Sequence, residues 1–489
     1  MRARSALRWL LRLTLIRGAV ELVMPILNKF KVAGNKVRQW FQPITDAWNR
    51  LNKFWQRFWS NFIVGCFIAI LLTVGHDSSW VVEAENMAMD TMMGVNQTLP
   101  RMTSPTKNVD PIDFTFLDID EESYREWEEP FHIPRDKLAK LIQFAAEGDA
   151  KAIIVDVDLS KASANDTELI AFIQDYQPEQ PPLLLLRTFY PASSKTQGKA
   201  YQVRPSIFDG LELSPNIFWV QPLFKQSTYD SSARYWQLFK LGCLNGETLV
   251  IPSVQLMMDN LLTMAGKYSE LTQQFGKLVP EHCDDIEQAE QNLSDNIRYG
   301  ERTINLKPER VGERIIYTLP WNKPTGDELI SISARRITES EREKSYDLIK
   351  GRIVVIGASF SDSRDIYPTP IESMPGALII INAIKSMYNF GQIMSPPGWV
   401  KWSIELGLII LMSWAFARFN SFRGTIIIGV SIIVILIPIS FYFFKYGLWV
   451  DFAVPLLGMQ IHQLIAEYEE SVVARKRHKH QKIKEAREL

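Results

Sequence analysis

Five aspartates stand at the ends of apolar runs, where their chemistry would count. Asp118 and Asp120 close DFTFLDID (113–120), Asp156 and Asp158 fall within AIIVDVDLS (152–160), and Asp365 follows the run 352–357. An apolar run that ends in acids reads as a buried strand, and open parallel sheets bind ligands at the carboxyl ends of their strands. Five carboxylates at one edge would repel one another unless Arg135 or Arg364 paired with them, or a hard cation sat between them. Thr369 adds a hydroxyl to the stretch that carries Asp365. Three states of this edge stay open: a small ligand held by Asp118, Asp120, Arg135, Asp156, Asp158, Asp365 and Thr369; a metal ion; or no ligand, because Asp at a strand exit also caps the next helix. Capping outweighs metal binding on the residue types alone, and no metal site is assigned.

Other chemistries fail on inspection. The sequence has no GxxxxGK[ST], no GxGxxG opening a helix, no HExxH and no GxSxG. GASFS (357–361) lacks the closing glycine of a nucleophile elbow, and His76, His132 and His282 are too scattered for a base–nucleophile pair. The expectation is a protein that is not an enzyme and holds no cofactor.

Those aspartates need a scaffold. Pro134 opens a helix whose Leu138, Leu141, Ile142 and Ala145 fall at helical spacing, and Gly148 stops it. With the runs on either side it makes a βαβ unit and hence a parallel sheet. Apolar runs at 183–186, 217–220 and 352–357 extend that sheet, and helices are expected at 80–96, 252–265 and 377–390. The acidic stretch 283–302 reads as an insertion or mobile loop, and 303–319 as paired strands at one edge. In the string 354–376, Gly357 ends a strand and lets the backbone turn, Asp365 with Thr369 and Pro370 fixes a loop, and Pro375 and Gly376 turn the chain into the next helix.

The 489 residues are 46% hydrophobic and 22% charged, with a formal net charge of −1, which excludes collagen-like, disulfide-dense and wholly disordered classes. Those averages hide an uneven chain. Residues 1–57 hold twelve Lys and Arg against two acids, Glu21 and Asp46. Stretches of eighteen (58–75) and twenty-one (424–444) residues without a charge are each long enough to cross a hydrocarbon core. Two less clean neighbours, 398–418 with Glu405 and 449–466 with His462, are flanked by Trp399, Trp402, Trp449 and Phe452, as interfacial belts require. Four crossings result, one N-terminal and three C-terminal. Both termini fall on one side with Arg418, Arg423 and the tail RKRHKHQKIK (475–484), and the positive-inside rule makes that side cytoplasmic. The parts are then a basic amphipathic tail (1–57), a first span (58–75), a periplasmic α/β domain (76–397), three spans (398–418, 424–444, 449–466) and a basic tail (467–489). The leader suits a helix lying on anionic lipid, or else a solvated orientation signal.

Of three cysteines, Cys66 falls inside the first span, while Cys243 and Cys283 fall in the exported segment. There a disulfide between them competes with two reduced, buried thiols. Glu405 stands one turn from Lys401, so a local ion pair is expected to offset its cost in lipid.

FLDIDEESYREW, IPRDKLAKLI, AKAIIVDVDLS and GRIVVIGASFSDSRDIYPTPIESMPGALIIINAI occur in that order between one signal anchor and three closely spaced spans. The arrangement resembles the type-2 CHASE domain, an extracellular sensory module found attached to bacterial histidine kinases, nucleotide cyclases and diguanylate cyclases. The resemblance covers about residues 80–467, and its most specific piece is the string 354–376. It implies a periplasmic sensory domain in a bacterial inner membrane. Two departures stand out: Asn382-Ala383 replaces a usual His-Ala, and a PWPR-like element is reduced to His132-Ile133-Pro134-Arg135. The 23 residues after the fourth span (467–489) leave no room for a kinase or cyclase.

Two functions follow. In one, a ligand-binding sensor signals to a separate effector or other membrane protein through the basic tails. In the other, a non-enzymatic scaffold anchors a multi-protein envelope complex. Membrane lipids are partners in both, self-association is plausible, and nucleic acid is not expected.

Overall fold

The computed structural model describes residues 48–98, 111–163, 165–190, 202–264, 269–277, 279–280, 282–286, 289–290, 296–322, 326–339, 343–419 and 421–488. The basic leader up to residue 47 and most of the Pro/Thr/Ser-rich link 98–111 lie outside the described residues. Two compact units result: 1–89 with 396–442 and 450–489, and 90–395 with 443–449.

The second unit is built on a six-stranded sheet of β1 (Phe114–Ile119), β2 (Ala152–Val155), β3 (Leu183–Leu186), β4 (Ile217–Val220), β5 (Leu329–Ser333) and β6 (Ile353–Ala358). Their spatial order is β5-β1-β6-β2-β3-β4, and every neighbouring pair is parallel. Parallel strands are covered on both faces and so read as unbroken apolar runs, as AIIV and LLLL do. Leu117, Ile119, Ile153, Val155, Val354 and Ile356 point into one core with helices Arg135–Glu147 and Asp166–Gln174. Side chains alternate along a strand, so Asp118 and Gly357 belong to the other face, as Asp156 does one residue beyond β2. Helix Gly376–Phe390 packs there on β6 and β1, with helix Val254–Thr263 against it.

The expected βαβ unit is present, but β1 and β2 are not neighbours: β6 inserts between them. The edge strand LISIS of β5 carried no signal strong enough to be assigned. Part of the stretch read as a loop, 283–302, forms an antiparallel hairpin instead, Asn296–Tyr299 with Arg302–Asn305. Buried Ile297, Tyr299 and Ile304 hold it, and the Tyr299 hydroxyl donates to Asp259 Oδ2 at 2.6 Å. Residues 303–319 accordingly do not pair with one another as two strands; Arg310–Glu313 is a 3₁₀ turn, and the chain after it runs buried through Ile315, Ile316, Tyr317 and Leu319.

A second hairpin, Phe239–Leu244 with Glu247–Pro252, turns at Asn245 and Gly246, whose φ angles are 53° and 90°. Asn-Gly is the sequence that tolerates two positive φ angles in a two-residue turn. Cys243 on this hairpin is disulfide-bonded to Cys283, with 5.7 Å between Cα atoms. The bond closes a loop 40 residues apart in sequence, which by chain entropy is worth at most ~4 kcal/mol. Cys243→Ser is therefore expected to lower the urea midpoint of the purified protein by the equivalent of about 2–4 kcal/mol; an unchanged midpoint would show that the bond constrains nothing.

Among the described residues, three helices are long and apolar enough to cross a membrane: Lys53–Val74, Gly398–Arg418 and Arg423–Phe444. Residues 449–466 are not among them; most of that segment begins the 36-residue helix Ala453–Glu488. Gly65 lets Ile409 approach closely, because a Cβ there would stand 2.9 Å from Ile409 Cγ2. The His462 ring stacks on Phe416 at 4.7 Å, and its Nε2 lies 3.4 Å from the Asn61 carbonyl oxygen. A cavity of about 60 Å³ lies between the helices, lined by Gly65, Ile409, Ile432, Gly458 and Glu405 among others.

Candidate functional site

Strand register builds the site. Asp118 on β1 is the Cα partner of Gly357 on β6, and the Asp156 N–H donates to Ile356 O at 2.8 Å at the exit of β2. The carboxyl edge therefore carries a row, Asp118, Gly357 and Asp156, across three adjacent strands on one face. The bare Gly357 at its centre is required by packing. A Cβ there would lie 2.6 Å from Ala377 Cβ and 3.6 Å from Asp156 Oδ2, so the first turn of helix 376–390 rests directly on the strand.

A short antiparallel hairpin, Ile366–Pro368 with Ser373–Pro375, delivers the chain to that helix. Thr369 ties its tip: its hydroxyl donates to Glu372 O at 2.5 Å, and its N–H reaches the same oxygen at 3.2 Å. Pro370 follows in the tip, and Pro375, with φ −59°, takes the N-cap position where no N–H is missed. The Gly376 N–H donates to the Asp365 backbone carbonyl oxygen at 2.8 Å, and the Asp365 carboxylate folds back onto the helix start, where Tyr367 and Gly376 favour its charged form. Here too glycine is needed, since a Cβ on residue 376 would stand 2.6 Å from Asp365 Oδ2. A carboxylate at a helix N-terminus is also favoured by the helix dipole.

Asp118, Asp156 and Asp365 are thus gathered around the start of one helix, and burial makes ionisation costly for each. Asp118 is pushed up to about 7 by burial, although Ser359 donates to it; Asp120 adds repulsion. Asp156 is raised well above the ordinary carboxylate range by burial and by the charge of Asp365. Asp365 is raised to about 6 by burial, against the hydrogen bonds from Tyr367 and Gly376. The Tyr367 phenol is pushed up to about 12 by burial and by these acids.

The remaining candidates serve local structure. Asp120 Oδ1 caps helix Glu121–Glu126 through the Ser123 N–H at 2.8 Å. Asp158 closes a turn onto the Ser160 N–H at 2.9 Å and pairs with Arg204 at 3.6 Å. Arg135, 1% exposed, donates to the Asp158 carbonyl oxygen at 3.0 Å and pairs with Asp166 at 3.4 Å. Tyr367 and Ser359 were missed in the sequence, because donor positions depend on a hairpin and a strand pairing that spacing does not encode. Asn382 fills its own niche: Oδ1 accepts from the Thr318 and Leu319 N–H groups at 2.9 Å, and Nδ2 donates to Leu319 O and Leu378 O at 3.0 Å. Among the described residues no three His, Cys, Asp or Glu side chains are grouped to hold a metal ion.

A model of the CHASE2 domain matches residues 63–419, most of the chain. The chain belongs to the CHASE2 family. No curated protein and no solved structure matches it significantly. The CHASE2 match takes in the whole sheet, the three carboxylates and the helix they surround, so the candidate site lies within the sensory domain.

Ionisation of Asp118 carries a stability prediction. Its folded-state pKa lies above the unfolded value of 3.8, so its protonated form favours folding. That contribution is complete below about pH 4 and is lost as pH rises towards 7, by at most ~4 kcal/mol. Asp118→Asn should therefore melt above the wild type at pH 8 and together with it near pH 4. Parallel melting curves at both pH values would contradict the burial argument.

Proposed function

We propose that this chain is a multi-pass sensor of the bacterial inner membrane, with residues 76–397 in the periplasm and both termini in the cytoplasm. One observation carries the reading: the Asp118–Gly357–Asp156 row and Asp365 form a polar site at the ligand edge of a parallel sheet, built into the first turn of helix 376–390. The chain runs on from that helix into helix 398–418, so a ligand that reseats the first turn acts on a segment continuous with a membrane span. A ligand shifts such an equilibrium only by its difference in affinity for the two arrangements.

Residues 449–466 are read as the fourth crossing, which returns the basic 467–489 tail to the side of the basic leader. The Cys243–Cys283 bond suits an oxidising compartment. The protein is a non-enzymatic receiver and passes its signal to a separate membrane or envelope protein through its basic tails, with lipid contact and self-association as supporting interactions. One feature favours the scaffold reading: Phe131, 90% exposed, presents an aromatic ring on the loop between helices 121–126 and 135–147.

Purification from native membranes followed by hydrogen exchange separates the two. A sensor is expected as one or two copies, with exchange in residues 355–380 changing at fixed pH 7 when a low-molecular-weight periplasmic fraction is added. A stoichiometric multi-protein complex with unchanged exchange there would replace the sensor by the scaffold.

A further inference from the structure

We propose that the cavity between the membrane-length helices is a phospholipid site: it takes one acyl chain of a lipid whose primary-amine headgroup rests on Glu405. The proposal rests on the membrane reading above and is independent of the carboxylates at the sheet edge.

The cavity has one chemical character. It encloses about 60 Å³, and Glu405 is the one polar side chain among the described residues that line it. Its walls come from helices Lys53–Val74, Gly398–Arg418, Arg423–Phe444 and Ala453–Glu488. An ordered water needs two to four polar partners, so a single carboxylate on an apolar wall does not hold one. Apolar cavities take apolar guests instead, and one of about 150 Å³ accepts benzene. At less than half that volume this cavity is too small for a ring. From Leu72 to Gly65 and from Glu405 to Met412 its walls run seven residues, about 10 Å along each helix. A narrow space of that length matches a stretch of a single alkyl chain, and lipid is what surrounds helices of this length and composition.

The space is held open by residue choice. A Cβ on Gly65 would stand 2.9 Å from Ile409 Cγ2, so that glycine serves the contact between two helices. Gly458 differs: a Cβ there would meet Leu72 Cδ1 at 3.5 Å and Ile68 Cγ2 at 3.8 Å, ordinary van der Waals distances. Packing does not require glycine at 458, and its missing side chain is part of the empty volume. Across the cavity, Ile432 opens a π-helical turn, Ile432–Leu436. Pro438 accounts for that turn, since its ring lacks an N–H and displaces the carbonyl four residues before it. Single π-turns inside α-helices gather at functional sites.

Charge selects the headgroup. Exposed Trp399 and Trp402 mark the interface on helix 398–418, and Glu405 stands one turn further in. Lys401, one turn before it and exposed, attracts both Glu405 and Asp451, and Glu85 repels Asp451. Three carboxylates thus act at this mouth against one ammonium. The surplus negative charge draws an amine and repels an anionic headgroup, while Lys401 gives the phosphate of the same lipid a cation nearer the surface.

Native mass spectrometry of the full chain, solubilised in detergent with equal amounts of phosphatidylethanolamine and phosphatidylglycerol of matched acyl chains, tests this. One lipid per chain should be retained, with phosphatidylethanolamine favoured at least fivefold. Glu405→Gln should reduce that preference below twofold or abolish retention. Gly458→Val puts its methyl groups into the cavity and should lose both lipids. Should the valine variant fail to insert, the nearly isosteric Glu405→Gln decides alone. Equal retention of the two lipids by the wild type (annular lipid only) would overturn the site. So would a preference that Glu405→Gln leaves intact, or retention that Gly458→Val leaves intact. Retention of no lipid by a chain that still requires detergent would overturn this proposal alone. A chain soluble without detergent would overturn the membrane reading with it.

Discussion

Gly357→Val is expected to unseat helix 376–390 and to be among the most damaging single changes in the domain. The Cβ alone would stand 2.6 Å from Ala377 Cβ, a contact between backbone-anchored atoms on a central strand and a helix that cannot give way separately. Valine adds two methyl groups to that clash. Overpacking of a tight core contact costs about 1–3 kcal/mol and more when the backbone must shift. A loss of ~3 kcal/mol is expected, with Gly357→Ala intermediate. Urea titration of the detergent-solubilised protein measures it. A valine variant as stable as the wild type would mean that the helix does not rest on β6, and the site would lose its geometry.

Asp90→Ala should cost more. Asp90 lies in helix Ser79–Thr98 and meets two buried guanidiniums: Arg234 at 2.8 Å, and Arg314, which also donates to its carboxylate. Arg234 keeps a second carboxylate in Asp230, at 2.5 Å. Arg314 is 2% exposed, so losing Asp90 leaves a charge in the interior without this partner. Removing one partner of a buried ion pair costs about 3–5 kcal/mol, whereas replacing both by apolar groups is often close to neutral. Asp90→Leu with Arg314→Met should therefore lose less than Asp90→Ala alone. If the double variant lost the sum of the two single changes, the pair would not be coupled.

The sequence reading located most of the fold because parallel strands are apolar over their whole length. The runs at 113–120, 152–160, 183–186, 217–220 and 352–357 each contain or nearly match a strand of one sheet. β5 stayed hidden because LISIS is short and carries serines. The 239–252 hairpin is legible in Asn245-Gly246, a turn signature for two positive φ angles. The order of strands was not legible at all: β6 enters between β1 and β2 from about 200 residues away in sequence, and nothing local encodes that choice. Asp118, Asp156 and Asp365 could be singled out as acids at strand exits. That Asp120, Asp158 and Arg135 would instead be spent on caps and turns depends on side-chain geometry that the residue types leave open.

The central claim is that this sensory domain faces the periplasm, and labelling with a membrane-impermeant maleimide tests it most directly. Phe131→Cys places a thiol at a 90% exposed position, while Cys243 and Cys283 are bonded and Cys66 lies in a helix long and apolar enough to cross a membrane. In intact spheroplasts of a bacterial host, Cys at position 131 should label before lysis, and Lys482→Cys in the basic tail only after it. The reverse order would put the sheet and its three carboxylates in the cytoplasm and contradict the account.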